Sequence, residues 1–281
     1  MKYKAAEHML MRCPTRSLNE FYDFAKLSDD EIMAFCRQDK LFAEAVAIAS
    51  QDLYKMYADD SGKTTARMLE SVKKYYDRMT ARPTPYGLFA GVTTARFSDE
   101  GTDISLAEQE KYHKICRVDN EWYFKLVKKI EETPGLLFNL QVIFNKHCNK
   151  VYGRLKNGYC SNLRKENVNH AEDLHIRYTK QVQYVQEFAG DFVAFKDLRD
   201  FLINKNPNVP PEIIDKFLKE LLLNEYLYTN ICALSKEEDP LHKLLQENDF
   251  HNLSDDEAAF IQKLQEVDRL REEYAQMPFG Q

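Results

Sequence analysis

No two of the six cysteines stand in a C-x-x-C pair, and the seven histidines add no partner at metal-ligand spacing. A zinc module is therefore disfavoured and no metal site is expected. Without a secretion signal, Cys13, Cys36, Cys116, Cys148, Cys160 and Cys232 read as free thiols, although Cys148 and Cys160 could meet across a hairpin. Long apolar runs are also missing. Nothing approaches the length that crosses a bilayer, and Met1-Lys2-Tyr3-Lys4-Ala5 leads into no signal-type segment, so a cytoplasmic location is expected. No internal repeat or low-complexity tract is apparent.

Acidic residues are absent from residues 141–165, which hold Lys146, Lys150, Arg154, Lys156, Arg164 and Lys165. They are instead concentrated after residue 234. There, twelve acids face five bases, so the tail carries −7 of the total −6 and leaves +1 for the front. A phosphate-bearing partner is compatible with that front part despite the acidic total, although solvated basic faces would look the same.

At 281 residues the chain can bury one large core or two smaller ones. Ser28 with Glu31 forms a capping-box signature, and residues 42–49 are alanine-rich and helical in character. Met68, Val72, Tyr75, Tyr76 and Met79 recur at helical spacing until Pro83 and Pro85, which force Arg82 out of the helix. Residues 120–132 form another amphipathic run, broken at Thr133-Pro134-Gly135. Alternating runs at 140–144, 151–155 and 174–178 predict strands. Helical runs at 180–187, 195–204 and 211–224 follow, then a short extended return at 227–228. Strands, three compact helices and a β return make the pattern of a winged helix-turn-helix. The expected class is α+β. A helix-rich part (residues 1–137) precedes a winged-helix-like unit of three strands and three helices (138–234). An acidic helical segment (235–281) follows and reads as cut from a longer protein.

One stretch concentrates chemistry: Arg78-Met79-Thr80-Ala81-Arg82-Pro83-Thr84-Pro85-Tyr86-Gly87-Leu88-Phe89-Ala90-Gly91. Arg78 and Arg82 stand four apart at a helix end and can share a face. The prolines stiffen the turn, and the glycines open backbone conformations closed to other residues. Two guanidinium groups and the Thr84 hydroxyl on a rigid loop suit a phosphate or carboxylate clamp. Arginines that simply complement a helix C-terminus would look the same, and the residues alone leave the two uses even.

This stretch resembles the R-x-x-x-R-P-T-P-x-G-L-F-A-G segment of the lantibiotic dehydratase (LanB-type) family, in its N-terminal glutamylation region. Arg12-Cys13-Pro14, the helix at 42–53 and Arg117-Val118-Asp119-Asn120-Glu121-Trp122 resemble further family pieces in the same order. The resemblance implies transfer of glutamate from glutamyl-tRNA to Ser/Thr hydroxyls of a ribosomally made precursor peptide, with later elimination to dehydroamino acids. It implies no cofactor beyond that co-substrate. By motif position it makes Arg78, Arg82 and Thr84 glutamylation residues, and Asp119 an acidic one; as an alternative, Asp119 caps the helix that follows.

The family's similar winged-helix unit captures leader peptides. Leader binding by β-augmentation beside residues 174–178 and the helix at 211–224 would place Tyr184, Phe217 and Leu221 in the groove, unless they are core. The resemblance leaves a homodimer open. The chain lacks a recognisable elimination region, so alone it is expected to bind rather than catalyse. The competing expectation is a standalone, non-catalytic leader-peptide module. DNA binding ranks last because Glu212, Asp215 and Glu220 crowd the third helix.

Overall fold

The computed structural model describes residues 6–58, 65–99, 101, 108, 111–161, 172–232 and 239–280. They fall into two compact units, Met1–Ile115 with Glu273–Gln281, and Cys116–Glu272.

In the first unit, strand β1 (His8–Pro14) leads into helices α1 (Leu18–Phe24), α2 (Asp29–Gln38), α3 (Lys40–Ala49), α4 (Gln51–Ala58) and α5 (Ala66–Ala81). Strand β2 (Ala90–Arg96) then returns antiparallel to β1, with Arg12 opposite Val92 and Cys13 opposite Gly91. The starts of these helices are written in side chains. Ser17 with Glu20 and Ser28 with Glu31 form reciprocal capping boxes, and Asp39 and Thr65 cap α3 and α5. The core gathers Phe24, Ile32, Cys36, Phe42, Val46, Val72, Tyr76, Met79 and Phe89. Tyr76 stacks on Phe24 at 3.9 Å between centroids, so α5 lies on α1 through an aromatic pair. Half-buried Glu44 accepts hydrogen bonds from Lys114, the Tyr274 hydroxyl and the Gly280 amide. The Lys114 ammonium also lies 4.3 Å from the centre of the Tyr274 ring.

The second unit opens with α6 (Asn120–Glu132) and the single-turn α7 (Pro134–Leu137), separated where Pro134 takes the first helical position of α7. Strands β3 (Gln141–Phe144), β4 (Asn149–Val151), β5 (Arg154–Cys160) and β6 (Glu172–Arg177) follow. Next come α8 (Lys180–Phe188), β7 (Val193–Ala194), α9 (Phe195–Lys205), α10 (Pro211–Leu223) and β8 (Leu227–Thr229). The unit ends with α11 (Pro240–Glu247) and α12, which runs from Asp255 to Gln276 and so continues into the first unit's C-terminal residues. Two antiparallel three-stranded sheets result, ordered β7-β3-β8 and β4-β5-β6. Mixed helices and small antiparallel sheets make the fold α+β.

Residues 151–155, expected as one strand, are corrected to a hairpin. Val151 pairs with Arg154, and Tyr152 and Gly153 form the two-residue turn with φ of 47° and 74°. Apolar alternation across the turn hid it. The core of this unit draws on α6 (Tyr123, Leu126, Val127, Ile130), on strands and helices from Val142 to Leu227, and on Ile261 and Leu264 of α12. Residues 120–137 thus pack with the strands that follow them. Cys148 and Cys160 are both buried, and no disulfide joins them.

Candidate functional site at the arginine–proline loop

Helix α5 ends at Ala81, and Arg82 already has extended backbone (φ −112°, ψ 113°) because Pro83 excludes the helical region before it. The chain then passes Thr84 and Pro85 to a short 3-10 turn, Gly87–Phe89, before entering β2. Gly87 has φ +52°, a left-handed conformation that the loop demands. Gly91 lies in β2 with open space where a Cβ would be, so its expected conformational role is not needed here.

Arg78 sits in the last turn of α5, half-buried. Its guanidinium carbon lies 4.5 Å from the centre of the Tyr86 ring. Tyr86 in turn is near-parallel to Phe89 at 6.1 Å, and Phe89 stacks on Tyr75 at 5.3 Å. This ladder of rings holds the guanidinium by its face and leaves its polar edge uncommitted. The buried Nε of Arg78 has no hydrogen-bond partner, and no carboxylate of the described residues pairs with the group. The Tyr75 hydroxyl is pushed above its ordinary pKa chiefly by burial, with Tyr86 adding to the shift and Arg78 opposing it. Arg82, Thr84 and Tyr86 are exposed.

Thr15 and Arg16 strap the loop from behind. The Thr15 hydroxyl donates to the carbonyls of Leu88 and Phe89 at 3.1 and 3.2 Å, and the Arg16 amide donates to the Met79 carbonyl at 3.1 Å. The Arg16 guanidinium is committed to Asp39 at 2.7 Å and Glu20 at 3.2 Å. Sequence reasoning missed Thr15, Arg16 and the Tyr75–Phe89–Tyr86 ladder. Tyr86 and Phe89 lay within the motif, but the strap is made of contacts across more than sixty residues with no local signature.

Arg78, at the end of α5, and Arg82 and Thr84, in the loop that follows, therefore belong to one stretch of the first unit, whereas Asp119 belongs to the second unit. There its Oδ1 accepts from the Trp122 amide at 3.1 Å and caps α6. Tyr184 lies on α8, edge-to-face with Phe201 at 6.1 Å, and is half-buried. Phe217 of α10 is half-buried against the core, and Leu221 is only 3% exposed within it. Elsewhere in this unit, His242, Asp268 and Glu272 bring donor atoms within 4.8 Å of one another. That cluster is already bridged: His242 Nδ1 meets Asp268 at 2.7 Å, and Arg271 holds Asp268 at 2.7 Å.

The family model described as lantibiotic dehydratase, N terminus, matches residues 38–281. The chain is 29% identical over 211 residues to the subtilin biosynthesis protein SpaB of Bacillus subtilis, covering 72% of this chain and 19% of SpaB. It is 24% identical over 275 residues to the epidermin biosynthesis protein EpiB of Staphylococcus epidermidis, covering 96% of this chain and 27% of EpiB. The chain thus spans about a fifth to a quarter of these relatives' lengths. Among solved structures, the tRNA-dependent lantibiotic dehydratase MibB of Microbispora sp. 107891 superposes with a TM-score of 0.74 at 23% identity, over 99% of this chain and 26% of MibB. The glutamylation domain of TbtB from thiomuracin biosynthesis superposes at 0.56 and 19% identity, over 86% and 31%. At those identities the superpositions establish a shared fold, while the family match covers most of the sequence. The chain belongs to the lantibiotic dehydratase family and corresponds to its N-terminal part.

Proposed function

We propose that this chain is the N-terminal part of an enzyme that transfers glutamate from glutamyl-tRNA to Ser/Thr hydroxyls of a ribosomally made precursor peptide. The observation that carries the reading is the Arg78 guanidinium, stacked on Tyr86, half-buried and unmatched by any described carboxylate. A cation held this way is poised for an anion that arrives from outside. The names of MibB, tRNA-dependent, and of the TbtB glutamylation domain support the same step.

In the reaction, the peptide hydroxyl oxygen attacks the ester carbonyl of glutamyl-tRNA. The ester bond breaks, and the ribose oxygen leaves with a proton. Arg78 and Arg82 stabilise the charge on the tetrahedral oxygen or anchor the acceptor-end phosphates, and Thr84 orients the incoming group. On this reading Asp119 is an acidic group that accepts a proton, in addition to its capping bond.

Residues 138–234 supply a winged-helix-like unit for the leader peptide. β6 is an edge of its sheet and can accept an added strand, with Phe217 and Tyr184 as the exposed-side candidates on α10 and α8. Further catalytic groups and the elimination step lie outside this chain, which alone is inactive. The reading places the enzyme in the cytoplasm, needs no cofactor besides the aminoacyl-tRNA and admits a homodimer.

Replacing Arg78 and Arg82 together with Ala in the full-length enzyme abolishes glutamylated peptide in mass spectra while leader affinity is kept. Undiminished glutamylation in that double variant overturns the assignment.

A further inference from the structure

The hairpin that ends in Tyr152-Gly153 carries three features that folding alone does not require. Tyr152 has φ +47°, a left-handed conformation costly for a bulky side chain and usually given to Asn, Asp or Gly in such turns. Its side chain is also fully exposed, at 101% of the reference area. Behind the tip, Arg154 of β5 stands directly opposite Arg177 of β6. Side chains of directly opposed residues lie on one face of a sheet, and like charges so placed repel. Alternating burial along β5 and β6 puts Arg154, Lys156, His175 and Arg177 outward, and Leu155 and Asn157 inward.

Neutralisation within the wing is incomplete. Lys156 pairs with Asp173 at 2.7 Å, and Asp173 also lies 3.6 Å from His175. Among the described residues, no carboxylate lies within ion-pair distance of Arg154, Arg177 or Lys180; Arg154 reaches only the His175 carbonyl at 3.4 Å. Residues 141–161 and 172–180 together hold six Lys/Arg and two acids, within a chain whose net charge is −6.

We infer that the outer face of the β4-β5-β6 wing binds RNA, with a phosphate bridging Arg154 and Arg177 and a base stacking on Tyr152. A bridging anion removes the repulsion between the two guanidiniums. An exposed ring beside a cationic strip is the usual means of holding an unpaired base and its backbone. An acidic peptide would match the arginines but gives no flat partner for the tip tyrosine, so RNA is the favoured occupant. The inference rests on the transferase reading only for the identity of that RNA as tRNA.

The test titrates the chain against a fluorescein-labelled, deacylated tRNA transcript at about 50 and 200 mM salt, with polyglutamate as a second probe. Arg154→Ala/Arg177→Ala weakens tRNA binding about tenfold at low salt and lowers the log K–log salt slope by roughly 1.5. Tyr152→Asn weakens binding at least about fivefold with little change in slope. The same variant raises the melting temperature, because Asn adopts the turn conformation more readily, so its lost affinity is not misfolding. Absence of tRNA binding by the unmodified chain, or full binding by all variants, overturns the inference. Polyglutamate binding with the same variant sensitivity, in place of RNA binding, overturns it in favour of an acidic peptide. Wing-dependent tRNA binding by the chain, beside a full-length enzyme that makes no glutamyl peptide, sinks only the transferase reading. Normal glutamylation with unchanged KM for tRNA, and unchanged anisotropy in the variants, sinks only the wing.

Discussion

Arg78 and Asp119 are both charged groups at helix ends, yet they stand in opposite situations. Arg78 has a ring beneath it and no ion pair with a described carboxylate, whereas Asp119 already accepts the Trp122 amide. Two substitutions separate capping from chemistry at Asp119. Asp119→Ala removes the cap and lowers stability by about 1 kcal/mol, read by thermal or urea unfolding. Asp119→Asn keeps a capping oxygen and near-normal stability but cannot accept a proton. Glutamylation lost in the stable Asn variant of the full-length enzyme assigns chemistry to the carboxylate; activity equal to the parent leaves only a cap. Gly87 gives a second residue-level test. Its φ of +52° makes Gly87→Ala destabilising by about 1 kcal/mol, although the nearest atom to an added Cβ, Ile48 Cγ2, is at an acceptable 3.6 Å. An unchanged melting temperature would mean that the loop relaxes without strain.

Among the elements, helix α10 shows where one periodic pattern serves two purposes. Ile214, Leu218, Leu221 and Leu222 are buried, while Phe217 is half-buried. Leu221→Ala therefore costs about 2–5 kcal/mol as a core truncation. The shift is readable from Trp122, the chain's single tryptophan, which lies in the same unit. Phe217→Ala costs less stability and, on the leader-binding reading, weakens leader affinity measured by calorimetry. Equal stability losses with unchanged leader binding would place both residues in the core. The helical run at 211–224 was legible in the sequence, but not which of its apolar residues keeps a free edge. Helix α5 was legible in more detail, since Met68, Val72, Tyr76 and Met79 recur on one side and Pro83 stops the helix. The β4–β5 turn was not legible, because Tyr152 replaces the usual turn residue and the alternation runs through it. The short strands β2 and β7 also escaped, since each takes its place from a partner strand distant in sequence. The arginine loop was visible as a motif, but its aromatic support and its Thr15–Arg16 strap exist only in three dimensions.

For the molecule as a whole, two hydrophobic cores hold groups that prefer to stay neutral, and that sets its response to alkali. Burial pushes the Cys36 thiol up to about 12, with Asp39 adding to the shift, and burial alone does the same for Cys148. The Tyr76 and Tyr226 hydroxyls are raised to about 12, again chiefly by burial. Cys36 and Tyr76 belong to the first core, Cys148 and Tyr226 to the second. In each case the folded state retains a proton that the unfolded state releases at lower pH. Stability is thus fully present below about pH 8.5, the ordinary value of an unfolded thiol, and falls as pH climbs through it toward the folded values. Denaturant midpoints followed by circular dichroism should hold between about pH 7 and 8.5 and then decline steadily. The same burial makes Cys36 and Cys148 slow toward a thiolate-selective reagent at about pH 8, while half-buried Cys13 reacts sooner. All six thiols should titrate once the chain is unfolded without reductant, because none is bridged in the structure. Fewer than six would reveal a disulfide and contradict the fold. Six thiols with Cys36 reacting as fast as Cys13 would mean that the first core opens readily, and the alkaline decline should then be shallow.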